Sequence, residues 1–159
     1  MRLDATDIAI LTRLQQEARI SNKRLAAAVG ISPSTCLERV RRLVGKKAIT
    51  GFHATVSPKV VGVEVQALVS IRLGRHAQIS FDGLMEQMLR MKEVVHVYLL
   101  AGAQDLLVHV AVQDVDHLRR LVVEKFTSNP DVLHIETSLI FEYATSSVMP
   151  NYLGDSEET

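Results

Sequence analysis

The stretch ISPSTCLERVRRL, Ile31 to Leu43, sets Arg39, Arg41 and Arg42 within four residues behind a Ser-Pro start. Guanidinium groups at this density can grip phosphate oxygens or fork onto the edge of guanine. The hydroxyls of Ser32, Ser34 and Thr35 would sit at a helix N-terminus, whose unpaired N–H groups favour the same polyanion. A solvated basic face is the simpler reading of the arginines alone. The elements that carry them have to decide.

A second group with chemical potential is the turn Gly102-Ala103-Gln104-Asp105 between two apolar stretches. As local structure it reads as a hairpin turn, with Gly102 supplying an unusual φ and Asp105 bonding nearby backbone. The six histidines, His53, His76, His96, His109, His117 and His134, show neither H-x-x-x-H nor H-E-x-x-H spacing. His96 and His109 could share a sheet face diagonally. Two imidazoles without a nearby cysteine or clear carboxylate make a thin zinc site, and no metal or cofactor is expected. There is no G-x-S-x-G, P-loop or dinucleotide fingerprint, so no enzyme is expected either. Cys36 reads as packing and not as a nucleophile.

The supporting elements begin with composition. The chain has 159 residues, 47% hydrophobic and 23% charged, which is globular rather than disordered. No apolar run approaches the roughly 20 residues of a bilayer span, and MRLDATDIAI is not a signal peptide. Neither a membrane association nor, with one cysteine, an intrachain disulfide is expected, and a reducing cytoplasm is the expected location. The absence of tryptophan argues against stacking platforms for single-stranded nucleic acid. The zero net charge hides a division. Residues 1–53 carry ten bases against four acids, a net +6, so residues 54–159 carry −6. A basic head on an acidic body is predicted.

The head reads as three short helices. Asp4 and Asp7 form a capping-box-like start to the first, with Ile8, Leu11, Leu14 and Ala18 as its apolar stripe. Ser21 or Asn22 caps the second, whose inner face is Leu25, Ala26 and Val29, and Gly30 suits the left-handed position that ends it. Ser32 caps the third, with Pro33 in the first helical position. Two helices joined by a short Gly-containing turn spell helix-turn-helix. On a helical wheel centred on Cys36, Val40 and Leu43 lie within about 40°, with Leu37 and Val44 at the edge of this buried stripe. Ser34, Glu38 and Arg41 lie opposite, and Thr35, Arg39, Arg42 and Lys46 fill one flank. The bases thus cover an exposed side of an anchored helix. Next, AITGFHATV reads as a short strand, a wing, and SPKVVG (57–62) as a linker.

The body changes period. Val63 to Leu73 alternates as a strand. Ser80–Met91 reads as a helix, Val94–Ala101 and Leu106–Val112 as strands, the segment after Asp114 as a helix, and Val132–Phe141 as a last strand. The order βαββαβ is the ferredoxin-like arrangement. Both helices would cover one face, leaving Tyr98, Leu100, Leu107, Ala111 and Ile140 on the other. That face is expected to bury against another copy. The tail GDSEET is short and acidic, and is expected to be mobile. The chain is therefore predicted to be α+β: a helix-turn-helix domain at 1–56 (helix-turn-helix about 21–44), a linker at 57–62, a ferredoxin-like domain at 63–145 and a tail at 146–159.

The run LDATDIAILTRLQQEARISNKRLAAAVGISPSTCLERVRRL…ITGFHATVSPKVVG resembles the DNA-binding half of the Lrp/AsnC (feast/famine) regulators. Their pattern L-D-x-x-D-x-x-I-L, R-x-S/T-x-x-x-L-A, S-P-x-x-C-x-x-R-V-x-x-L and I-x-G-Y/F-x-A recurs here in order, and the second half fits their effector-binding and oligomerisation domain. One position departs. Where the family usually places Gly past the recognition helix, this chain has Lys47, with Gly45 before it. Either the helix ends half a turn early, or Lys47 takes φ > 0 at a cost of about 1 kcal/mol.

The resemblance implies a transcriptional regulator that binds double-stranded DNA and answers to an amino acid. It implies that Ser32, Ser34, Thr35, Glu38, Arg39 and Arg42 face DNA. Ser34, Thr35 and Glu38 would approach base edges, Arg39 base or phosphate, and Arg42, Lys46 and Lys47 backbone; an intrahelical partnership with Arg41 or Arg42 is the other role open to Glu38. By the same analogy Leu100, Ala101, Gly102, Gln104 and Asp105 line an amino-acid pocket where dimers meet, joined by Thr137 of a neighbouring subunit. Leu106 stands where the family often has Tyr. Dimers that associate further, up to octamers, are implied. A competing function is an accessory protein whose head docks protein instead of DNA. An enzyme on the ferredoxin-like half ranks third.

Overall fold

The structure is a computed structural model that describes residues 2–74 and 81–153. His76, Ser80 and the acidic stretch 154–159 lie outside the described residues. The chain divides into two units: Met1–Thr55 together with Ala144–Thr159, and Val56–Tyr143. Residues 144–153, most of them in the expected tail, are grouped with the head.

In the head, α1 (Ala5–Gln16) opens with a complete capping box: Asp4 accepts from the Asp7 N–H, and the Asp7 carboxylate accepts from the Asp4 N–H. Its buried line is Asp7, Ile10 and Leu14, not the expected stripe of Ile8, Leu11, Leu14 and Ala18. Ile8 and Leu11 are only half-buried, and Ala18 lies beyond the helix and is exposed. The residues that settle the register are a carboxylate and two aliphatics at i, i+3 and i+7. Helix α2 (Asn22–Ala28) is capped by Ser21, and α3 (Pro33–Gly45) by Ser32 with Pro33 at the first position. Ile10, Leu14, Leu25, Ala26, Cys36 and Leu43 form the core they share. The Asn22 side-chain amide donates to the Pro33 carbonyl at 2.8 Å and pins the turn between α2 and α3.

Both helices of the pair end in the same way. After α2, Gly30 takes φ +71°, and the Ile31 N–H reaches the Ala26 carbonyl at 3.0 Å. After α3, Lys47 takes φ +56°, while the Ala48 N–H reaches Leu43 O and the Lys47 N–H reaches Val44 O, each at 2.9 Å. These are Schellman ends, and the second places a side-chain-bearing residue in the conformation that glycine adopts freely. The left-handed alternative at Lys47 is the one realised. Beyond it the expected wing strand is absent: residues 51–57 form no ladder. A strand there needs a partner, and within one described chain it has none. The linker holds a 3₁₀ turn, Pro58–Val61, closed by Gly62 at φ +76°.

The body is a four-stranded antiparallel sheet in the order β2-β3-β1-β4, made of β1 (Val65–Leu73), β2 (Val94–Leu99), β3 (Leu106–Val112) and β4 (Val132–Leu139). Helix α4 (Phe81–Leu89) follows β1. Helix α5 (Val115–Leu121), capped by Asp114, follows β3 and runs on through a wider turn at Val122–Thr127. This is the predicted βαββαβ order. Ala67, Val69 and Ile71 of β1 and Leu106, Val108, Val110 and Val112 of β3 point to one face, under Leu84, Met88, Leu118, Leu121 and Phe126. β3 keeps its predicted bounds, and the other three strands are shorter than predicted. β2 stops at Leu99 rather than Ala101, and β4 stops at Leu139, leaving Phe141 97% exposed.

Candidate nucleic-acid interface and effector turn

Recognition helix α3 is buried on the line of Cys36 and Leu43, both 0% exposed, with Val40 half-buried. Leu37 and Val44, expected at the edge of that stripe, are exposed. Ser34, Glu38 and Arg41 form the outermost ridge, and Thr35, Lys46 and Lys47 are exposed beside it. At the helix start the Ser32 hydroxyl lies 3.0 Å from that of Ser34 and 2.8 Å from that of Thr35, and it accepts from the Thr35 N–H. Three hydroxyls therefore sit together at the positive end of the helix. Among the described residues, neither Glu38 nor Arg41 makes an ion pair. The intrahelical partnership considered for Glu38 is absent.

Arg39 and Arg42 differ from their expected placement. Arg39 Nη1 donates to Asp4 Oδ2 at 2.6 Å and to Asp7 Oδ1 at 2.8 Å, while Arg42 Nη2 donates to both Asp7 oxygens at 2.7 Å. Both guanidinium groups are thus turned back onto the start of α1 and do not stand free over the flank. Asp7 is 1% exposed, which a carboxylate tolerates only when paired and hydrogen-bonded. The Arg39 guanidinium, and then the Asp7 N–H, hold the Asp4 carboxyl below its usual range, and the two carboxylates raise Arg39 in turn. Sequence reading took Asp7 only as part of a capping box and missed that it anchors both arginines. The signal is the position of Asp7 in line with Ile10 and Leu14, where a lone charge makes no sense without a cation.

The turn of the body is a six-residue connection, 100–105, wider than a tight hairpin. It is closed by the Leu100 N–H on the Asp105 carbonyl at 2.8 Å and the Asp105 N–H on the Ile71 carbonyl at 3.0 Å. Asp105 Oδ2 accepts from the Leu73 N–H at 2.7 Å, so half of its carboxylate already serves the end of β1. Gly102 does not take a positive φ, contrary to expectation; a Cβ there would meet open space. Gln104 Oε1 is buried without a hydrogen-bond partner in the described chain. Leu100, Ala101 and Gly102 are exposed on the same loop. Thr137 is exposed on β4, paired with Val69 and separated from β3 by β1, so this chain does not bring it to its own turn.

The open face of the sheet is more polar than predicted. Tyr98 pairs with Leu107, and His96 pairs directly, not diagonally, with His109. His109 Nε2 lies 3.0 Å from Gln66 Oε1, so it donates there, and its Nδ1 accepts from His96 Nδ1 at 3.4 Å. Burial first, then His96, lowers the His109 pKa from the ordinary imidazole value. Tyr143 meets the His109 ring edge-on.

Residues 3–44 match the AsnC-type helix-turn-helix domain, and residues 66–148 match the Lrp/AsnC ligand binding domain. The chain is 44% identical over 141 residues to the HTH-type transcriptional regulator AldR of Mycobacterium tuberculosis, covering 89% of this chain and 79% of that protein. It is 34% identical over 145 residues to the leucine-responsive regulatory protein of Escherichia coli K12, covering 91% and 88%. The crystal structure of a transcriptional regulator–L-Met complex from Neisseria meningitidis superposes with a TM-score of 0.87 at 28% identity, covering 96% of this chain and 99% of that one.

Proposed function

The chain belongs to the Lrp/AsnC family of transcriptional regulators, and on that premise we propose that the outer ridge of α3 reads duplex DNA while an amino acid at the turn 100–105 governs assembly. It is a regulator with a helix-turn-helix domain and a ligand-binding domain, and its relatives are regulators and not enzymes. Among the described residues no helix is long and apolar enough to cross a membrane. A regulator of bacterial type acting on DNA works in the cytoplasm.

The observation that carries the DNA reading is the ridge itself. Ser34, Thr35 and Glu38 stand exposed on a helix anchored on its other side by buried Cys36 and Leu43, and Arg41 continues the line. In helix-turn-helix proteins this part of the second helix enters the major groove. Ser34, Thr35 and Glu38 meet base edges, Arg41 reaches base or phosphate, and Lys46 and Lys47 grip backbone, with Ser32 at the helix start. A gel-shift titration on the duplex upstream of the chain's own gene, at two salt concentrations, tests it. Affinity falling steeply with salt, about 0.9 in log–log slope per phosphate contact, is expected. A protein indifferent to DNA at both salts refutes the reading.

The effector reading rests on the buried, unpartnered oxygen of Gln104 beside Asp105. A buried acceptor without a donor is costly, and an ammonium group would satisfy it together with the free Asp105 oxygen. The neighbour from Neisseria meningitidis was solved with L-Met, an amino acid. Thr137 of a second subunit would close the pocket. The dimer forms through the open sheet face, and dimers join further, up to octamers. The ligand shifts whichever assembly binds it better. Calorimetry on Asp105→Ala should show amino-acid binding weakened; binding equal to that of the parent protein would remove the turn from the site.

A further inference from the structure

We propose that Asp4 makes an autoinhibitory contact in the DNA-binding head: its carboxylate competes with DNA phosphate for the Arg39 guanidinium and so lowers affinity for any duplex. The inference rests on the DNA reading above and names a regulator of that same surface. Its basis is the asymmetry of the four-residue cluster. Asp7 is buried between Arg39 and Arg42 and holds both. The Asp4 side chain is 52% exposed, yet it makes the shortest bond of the group, 2.6 Å to Arg39 Nη1. Only Nη1 of Arg39 has a protein partner among the described residues, so the other N–H groups of the fork are open to an incoming oxygen.

Two arginines facing two carboxylates make this cluster locally neutral, although residues 1–53 together carry +6. A phosphate approaching Arg39 meets the Asp4 charge, and either displaces it from the guanidinium or is repelled. The cost falls on matching and mismatched duplexes alike, so it sets affinity and cancels in the ratio between them. Asp7 cannot play this part, because its loss would strand two arginines in the fold.

The variant Asp4→Asn separates the effects, since Asn caps a helix start as well as Asp and so keeps α1. Binding is measured as a function of salt for the parent, Asp4→Asn, Arg39→Gln and the double variant. Each is titrated on the upstream duplex and on a scrambled duplex of equal length. Asp4→Asn should raise affinity for both duplexes several-fold, steepen the salt slope by about 0.9, as for one added phosphate contact, and leave the ratio between them unchanged. In the Arg39→Gln background that gain should vanish. A gain that persists undiminished there is a general field effect and overturns the inference, as does an Asp4→Asn protein that matches the parent in slope and affinity. A parent protein that binds neither duplex overturns the DNA reading along with it.

Discussion

The start of α3 and the turn at 100–105 are both places where polar groups gather, and they are finished to different degrees. In the head the bonds close on themselves. Asp4 and Asp7 hold Arg39 and Arg42, Ser32 caps α3, and Asn22 ties the two helices together. In the body Asp105 is half-used by Leu73, and Gln104 Oε1 is buried with no partner. The polar cluster of the head is completed by one chain. The turn is a surface that one chain leaves incomplete.

Perturbations should respect that difference. The largest effect is expected from Asp7→Ala, which leaves two guanidinium groups crowded at the core without their carboxylate. Because the arginines are themselves partly exposed, the loss should fall near the lower end for a broken buried pair, about 3 kcal/mol, in a urea melt of the head. Melting that leaves the head unchanged would mean the cluster is ornamental. Asp105→Ala should cost less, about 1–2 kcal/mol in the stability of the body, because it frees one backbone N–H at the end of β1. An equal loss in the two variants would erase the contrast.

Lys47→Gly should act in the opposite direction and stabilise the head by about 1 kcal/mol, by removing the Cβ from a left-handed residue while both hydrogen bonds of the Schellman end remain. Differential scanning calorimetry would show a raised midpoint. The smallest effect is a pH dependence. The folded Asp4 carboxyl titrates below its unfolded value, so its ion pair with Arg39 contributes stability above the ordinary carboxylate pKa. That contribution fades as pH falls through the lowered folded value. Acid titrations of the parent and Asp4→Asn should converge at the acid end and separate above it; curves that stay parallel throughout would remove Asp4 from the balance.

Local signals carried much of this architecture. Asp4 and Asp7, Ser21, Gly30, and Ser32 with Pro33 mark helix ends by chemistry that acts within four residues. The alternation of Val65 to Leu73 marks a strand by chemistry that acts within two. The ferredoxin-like order follows from such signals in sequence. Partnerships across 32 to 35 residues did not show. The wheel placed Arg39 and Arg42 on an exposed flank, and nothing in the periodicity says that α1 presents two carboxylates to it. The wing failed for a related reason, since Phe52 and Val56 have strand-forming side chains but no ladder to join. Gly102 suggested a left-handed turn, and the longer connection to Asp105 made one unnecessary. Lys47 was legible only as a choice between two endings, because the cost of a positive φ is small beside the two hydrogen bonds it allows.

Residues 144–153 bear on how the chain is made. They follow β4, yet they are grouped with the head, where the Met149 N–H donates to Gln15 Oε1 at 2.9 Å and Met149, Pro150, Asn151 and Leu153 help wall a cavity of about 470 Å³ against α1 and Ile49. The module whose helices leave the ribosome first thus receives its last wall after the whole sheet has been translated. At about 5–20 residues per second, that interval is on the order of 5–20 s, during which the nascent head waits with an apolar hollow uncovered.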